Sequence, residues 1–283
     1  MSGGVDKSGL DKLIADKCKK KSQSFSLHYT EGKNDEALIK KAIEHNSATT
    51  VVACGGDGTI NMVAGVLLNT SINLGIMPLG SANGLASEFN IPEDLESSLE
   101  VSLSGKAKPI DVIQVNDEIS LHLSDVGFNA QMIQEFEQDE MRGKLGYAKA
   151  FFKSMMNRES KHYAIIIDDK TIEVEAEMLV FANASSYGTG AIINPESKID
   201  DGLFEIVVFK PLPLKDLPSL TFESFLGNIK ESPFVEIYQV KKAEIKCNTP
   251  QLLQVDGELI NEVEKVKLSI ISDAIRLIAP LIT

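Results

Sequence analysis

The chain has 283 residues, 43% of them hydrophobic and 24% charged, which exceeds one average domain and is ordinary for a globular protein. A formal net charge of −13 argues against a general nucleic-acid binder and against broad electrostatic attachment to anionic membrane. Three cysteines without paired spacing (Cys18, Cys54, Cys247) fit a reducing, disulfide-free cytoplasm. Four histidines without cysteine partners argue against zinc, and no apolar run suggests a transmembrane segment or signal peptide.

Residues 10–20 read as a short helix, with Lys12, Lys17, Lys19, Lys20 and Lys21 forming a solvated basic face and end. Residues 24–29 alternate as a strand, and 35–45 form a helix with Ala37, Leu38, Ile39, Ala42 and Ile43 mostly inward. Residues 50–54 are a β-branched apolar run, read as a buried strand broken by Gly55, Gly56, Asp57 and Gly58. Helical spacing resumes over 59–68, with Ile60, Val63, Ala64, Leu67 and Leu68 on one face. Residues 72–78 form another strand, and small-residue loop 78–84 precedes a helix from about Leu85. Pro92, Glu93 and Asp94 open a further helix through Leu103, since helix starts favour proline and acids. Strands alternating with helices imply crossovers, hence an α/β domain with a parallel sheet.

From Ile110 the pattern changes. Hairpins are expected at 110–115 with 118–123 and at 163–167 with 171–175. Further strands are expected at 177–182, 202–209, 234–239, 241–247, 251–255 and 265–270, with helices at 146–156 and 217–229. Many short strands joined by polar turns predict an all-β part, a β-sandwich. With no low-complexity linker, the two parts are expected to pack closely around a ligand cleft.

The glycine turn after the 50–54 strand suits an anion, because outward amides at a helix start attract negative charge. Asp57 would repel bare phosphate, so it argues for a metal–nucleotide ligand; the plain alternative is a tight turn. Neither a Walker A loop nor the dinucleotide fingerprint fits, for lack of Gly-Lys-Ser and of a third glycine near Asn61. Loop 78–84 lies at the carboxyl end of a parallel strand, where ligands bind in open α/β sheets. Paired acids beside a glycine at 198–203 suit a hard cation such as Mg²⁺, although such sequences are as often simple turns. Glu258 lies in a hairpin-like turn at 255–258, for which a plain β-turn is an equal reading.

In this order GGDGTIN, PLGSANGLA, DVGFNA, KIDDGLFEI and VDGEL resemble the diacylglycerol kinase catalytic-domain family. That family comprises bacterial soluble lipid kinases and the diacylglycerol, sphingosine and ceramide kinases, and the resemblance covers essentially the whole chain. It implies an ATP-dependent kinase of a diacylglycerol-like or sphingoid-like lipid hydroxyl, with an α/β domain over 1–111 and a β-sandwich over 112–271. Residues 272–283 would return to the first domain, and the active site would lie in the cleft.

Carried over by motif, Gly55, Gly56, Asp57, Gly58, Thr59, Ile60 and Asn61 would hold the ATP phosphates. Ser2, Gly3, Thr30 and Ser81 match further nucleotide contacts. Asp57 matches the acid of a metal–phosphate network, Asp111 a second member of it, and Glu258 the general base. Lys198, Asp201 and Leu203 match a structural Mg²⁺ site, the first and last through backbone carbonyls. The implied partner is a lipid substrate at the membrane surface, met by a cytoplasmic enzyme peripheral to its inner face; a homodimer stays open.

Two features depart from the family pattern. Met1-Ser2-Gly3-Gly4 match only the end of an opening Asn-Pro-x-Ser-Gly motif, so the strand before it is expected to be missing. Gly84 stands where many bacterial members carry Asp. The rival readings are a kinase of a soluble acceptor such as NAD and a non-catalytic nucleotide or lipid sensor. Against NAD kinase, Asn183 is followed by Ala184 rather than Glu; against a sensor, four acids are retained.

Overall fold

Helices enclose two parallel strands in the first hundred residues of the computed structural model, which describes residues 9–80, 83–127, 130, 159–185 and 192–280. The chain divides into two units, Met1–Ile110 with Asp273–Thr283, and Asp111–Ser272.

The first unit contains α1 (Leu10–Lys20), α2 (Asp35–Asn46), β1 (Thr50–Gly55), α3 (Asp57–Leu67), β2 (Asn73–Pro78), α4 (Gly84–Glu88) and α5 (Leu95–Ser104). Strands β1 and β2 pair in parallel from Thr50↔Asn73 to Gly55↔Pro78. The loops that follow them therefore leave the sheet at the same end. Apolar residues Ile14 and Cys18 of α1 pack with Leu99 of α5 and Met77 of β2. Lys17 and Lys21, expected to be merely solvated, pair with Glu96 and Glu100 of α5 at 2.7 Å each.

Three local expectations are corrected here. Residues 24–29 are not a strand: among the described residues β1 pairs only with β2, so the segment has no ladder to join. Its Phe25, Leu27 and Tyr29 stay exposed. Helix α2 buries only Asp35 and Ile39, with Ala37 and Leu38 exposed, because only a narrow face meets a neighbour. Pro92 and Glu93 precede α5, whose N-cap is Asp94; the Asp94 carboxylate accepts the Ser97 N–H at 2.8 Å.

The second unit is built on antiparallel pairs. Its strands are β3 (Lys106–Val115, begun in the first unit), β4 (Glu118–Ser120), β5 (Leu123–Gly127), β6 (Lys161–Ile167), β7 (Lys170–Ala176) and β8 (Met178–Ala182). They continue as β9 (Phe204–Phe209), β10 (Val235–Val240), β11 (Lys242–Val255) and β12 (Glu258–Ala279), with helix α6 (Leu217–Leu226) between β9 and β10. The order runs β12-β11-β5-β8-β9-β10, and β11 also carries the β6–β7 hairpin. Tyr163, Phe181, Phe204 and Ile245 centre the core of this sandwich.

Two strands expected at 241–247 and 251–255 are one strand, β11. Its register with β12 shifts between Lys246 and Gln251, across Pro250, which has no N–H to give a ladder. Strand β12 outruns the expected 265–270: its last residues pair in parallel with β2, Leu277 opposite Leu74, so the chain closes in the first unit. The helix expected at 146–156 lies outside the described residues.

Candidate active site

Gly55 ends β1 and α3 begins at Asp57, with Gly56 as an extended N-cap and no side-chain cap. Amide groups at such a helix start face outward for an anion. The absence of Cβ atoms is a spatial need. A Cβ on Gly55 would lie 2.4 Å from Thr59 Oγ1, and one on Gly80 would lie 2.7 Å from Gly56 Cα. The glycine loops after β1 and β2 thus touch backbone to backbone, and Leu79 N–H donates to Gly55 O at 2.8 Å. Asn83, held at φ 52, closes the second loop. Its Oδ1 accepts Gly80 N–H at 2.8 Å and its Nδ2 donates to Gly80 O at 3.0 Å.

Asp57 joins the two loops. Its part-buried carboxylate accepts the amides of Gly84 and Asn83, yet burial outweighs them and pushes its pKa up. A bound cation would relieve that penalty, so the residue suits the metal–phosphate role. Ile60 is fully buried, which leaves only its main chain to meet a ligand. Thr30 is exposed beside a bend that sequence reasoning did not single out: the Asp35 carboxylate accepts Glu31 N–H at 2.9 Å and Gly32 N–H at 2.8 Å. Ser2, Gly3 and Ser81 lie outside the described residues.

In the second unit, Asp111 is buried and tied to loop 198–203. Its N–H donates to Ile199 O at 2.8 Å, and its Oδ2 accepts Gly202 N–H at 2.6 Å. Lys198 and Asp201 are exposed on that loop, and Asp201 Oδ1 accepts Leu203 N–H at 3.0 Å. Among the described residues no three His, Cys, Asp or Glu side chains gather to hold a metal. A cation there would rest on Asp201 and main-chain oxygens, a donor set that suits Mg²⁺ and not zinc. Sequence reasoning missed Glu205 beside it. Burial, and then the charge of Asp201, push the Glu205 pKa up, while hydrogen bonds from Gln239 at 2.8 Å and from Asn194 oppose the shift.

Glu258 is the first residue of β12 and is exposed, opposite Val255. Between them Asp256 (φ 47) and Gly257 (φ 91) make the two-residue turn with two positive φ angles that Asp-Gly favours in hairpins. An exposed carboxylate on a short turn can approach an acceptor hydroxyl and accept its proton.

A parallel α/β unit with facing glycine loops is thus followed by an antiparallel sandwich carrying separate acids. The family model of the diacylglycerol kinase catalytic domain matches residues 1–115, and that of the YegS C-terminal NAD kinase beta sandwich-like domain matches 124–279. The chain belongs to the diacylglycerol kinase catalytic-domain family. It is 32% identical over 236 residues to a "Probable lipid kinase YegS-like" of Chromohalobacter salexigens, covering 81% of this chain and 75% of that protein. A protein of the same name from Klebsiella pneumoniae is 31% identical, covering 78% and 74%. Among solved structures, a diacylglycerol kinase from Bacillus anthracis shares the fold with a TM-score of 0.75 at 17% identity, covering 98% of this chain and 93% of that one. An NAD kinase from Archaeoglobus fulgidus, solved with ATP, shares it more distantly, with a TM-score of 0.56 at 13% identity, covering 97% and 90%.

Proposed function

We propose that this protein is an ATP-dependent lipid kinase that transfers the γ-phosphoryl group to the hydroxyl of a diacylglycerol-like or sphingoid-like lipid. The observation that carries the reading is the contact of the two glycine loops at Gly56 and Gly80, bridged by the Asp57 carboxylate. Family membership and the names of the relatives support a lipid acceptor.

In this reading the main chain of Gly55–Asn61 holds the nucleotide phosphates, with Thr30 and Ser81 beside the nucleotide. Asp57 and Asp111 hold metal, directly or through water, and Lys198, Asp201 and Leu203 hold a structural Mg²⁺ outside the reaction. Magnesium, when bound, neutralises phosphate charge. Glu258 takes the proton of the acceptor hydroxyl as its oxygen bonds to phosphorus, and the leaving oxygen departs with ADP. The test is transfer of radiolabelled phosphate from ATP into a total bacterial lipid extract, with NAD as a parallel acceptor. A labelled lipid and no labelled NADP are expected. Labelled NADP alone would favour a soluble acceptor, and ATP binding without product a sensor.

The acceptor's address in a membrane is supported by α6. Residues 217–225 could have been explained by core packing, but Phe222, Phe225 and Leu226 are exposed on one helix face, as is Leu214 just before it. On the covered side, Leu217, Leu220 and Glu223 turn partly inward and Ser224 is buried. No helix among the described residues is long and apolar enough to cross a membrane, so contact through this helix would be interfacial. Replacing Phe222 and Phe225 together by serine is expected to weaken co-sedimentation with phospholipid vesicles by about a hundredfold or more, since each buried phenyl contributes roughly 1.5–3 kcal/mol. Transfer to a water-dispersed short-chain diacylglycerol should persist. Unchanged vesicle binding would remove α6 from this role.

A further inference from the structure

An Asp-Gly hairpin turn forms readily without help, yet the turn that carries Glu258 is anchored from several sides. The half-buried Asp256 carboxylate accepts four hydrogen bonds from the bend between β4 and β5. They come from Ser120 Oγ at 2.9 Å, Leu121 N–H at 2.7 Å, His122 N–H at 2.9 Å and Leu123 N–H at 3.0 Å. Asp256 N–H donates back to Leu123 O at 3.0 Å. On the other flank, buried Gln254 accepts Gly257 N–H through Oε1 and donates through Nε2 to Asp125 Oδ2 at 2.6 Å.

The bend is itself fastened. Buried Asn183 donates through Nδ2 to Leu121 O at 3.0 Å and to Asp111 O at 2.8 Å, and its N–H donates to His122 O at 3.0 Å. A continuous series of hydrogen bonds therefore runs from loop 198–203 through Asp111, Asn183 and the bend to Asp256. Placing a carboxylate there is costly, since burial pushes its pKa up to about 6 despite four donors. An apolar contact would hold a hairpin at less cost. Among the described residues no hydrogen bond holds the Glu258 carboxylate, so its direction is set by the backbone that carries it.

We propose that Asp256 is a positioning residue for phosphoryl transfer, clamping the Glu258 turn onto the frame of Asp111, Asn183 and the Ser120–Leu123 bend. The proposal rests on the reading of Glu258 as general base. Its geometric basis is that a base displaced by about 1 Å loses roughly a hundredfold in rate.

The test compares Asp256→Asn, Ser120→Ala and Glu258→Gln in the full chain, by phosphate transfer to the lipid extract and by hydrogen–deuterium exchange of residues 252–262. Asp256→Asn turns an amide NH₂ toward main-chain donors. Its kcat should fall by about tenfold or more with KM for ATP within about twofold, the pattern of a group used only in the transition state. Exchange over 252–262 should rise at the same time. Ser120→Ala, which keeps three of the four donors, should lower kcat by about threefold with KM for ATP unchanged.

A folded Asp256→Asn protein with wild-type kcat and exchange overturns the proposal, as does a kcat loss matched by an equal loss of ATP affinity. If Asp256→Asn does not fold, wild-type kcat and exchange in Ser120→Ala overturn it. Wild-type kcat in Glu258→Gln instead overturns the general-base reading beneath it, and the exchange data then decide the clamp alone: unchanged exchange in the Asp256 variant overturns it.

Discussion

Glu258→Gln is expected to lower phosphate transfer by about 10²–10⁴-fold, the usual contribution of a positioned general base. Glutamine keeps the size and the hydrogen-bonding oxygen and removes only the capacity to accept a proton. Because Glu258 is exposed at the end of a hairpin, the fold should be indifferent, with stability within about 0.5 kcal/mol of wild type. KM for ATP should stay near wild type as well, since the glycine loops assigned to the nucleotide belong to the first unit. Initial rates at saturating ATP, a thermal melt and the ATP dependence separate these quantities. A Glu258→Gln protein with an undiminished rate would return the residue to a plain β-turn position.

What was legible in the sequence followed from steric necessity. Gly55 and Gly80 mark places where a Cβ would collide, and the β-branched run before Gly55 has few alternatives to a strand. Residues 24–29 show the limit of periodicity: alternation describes one segment, whereas a strand is a relation between two. Pro250 broke the reading of β11 because a bulge and a chain break have the same local signature. Glu205 was hidden in a run that reads as an apolar strand; its burial depends on both faces of β9 being covered. The roles of Asp111, Lys198 and Glu258 came from ordered family motifs. The turn at Asp256 was visible, but its anchoring was not, since its partners lie more than 130 residues earlier.

Asp57 separates structural and chemical duty most cleanly. A carboxylate that served only metal and nucleotide would let Asp57→Ala leave the fold intact. The structure adds a second duty, because the same oxygens accept the amides of Asn83 and Gly84 and so hold the loop after β2 against the loop after β1. Alanine would strand those donors, and an unsatisfied buried amide costs about 1–3 kcal/mol. Asp57→Ala should therefore lose nearly all transfer and also melt several degrees lower. Asparagine retains one carbonyl oxygen for the amides but no charge for a cation. Asp57→Asn should regain most of the lost melting temperature while remaining as inactive as the alanine variant, within about tenfold. If both variants melt like wild type, the loop-bridging duty is wrong. If Asp57→Asn recovers both melting temperature and transfer, the bridge is the whole of the residue's role and the cation must be held elsewhere.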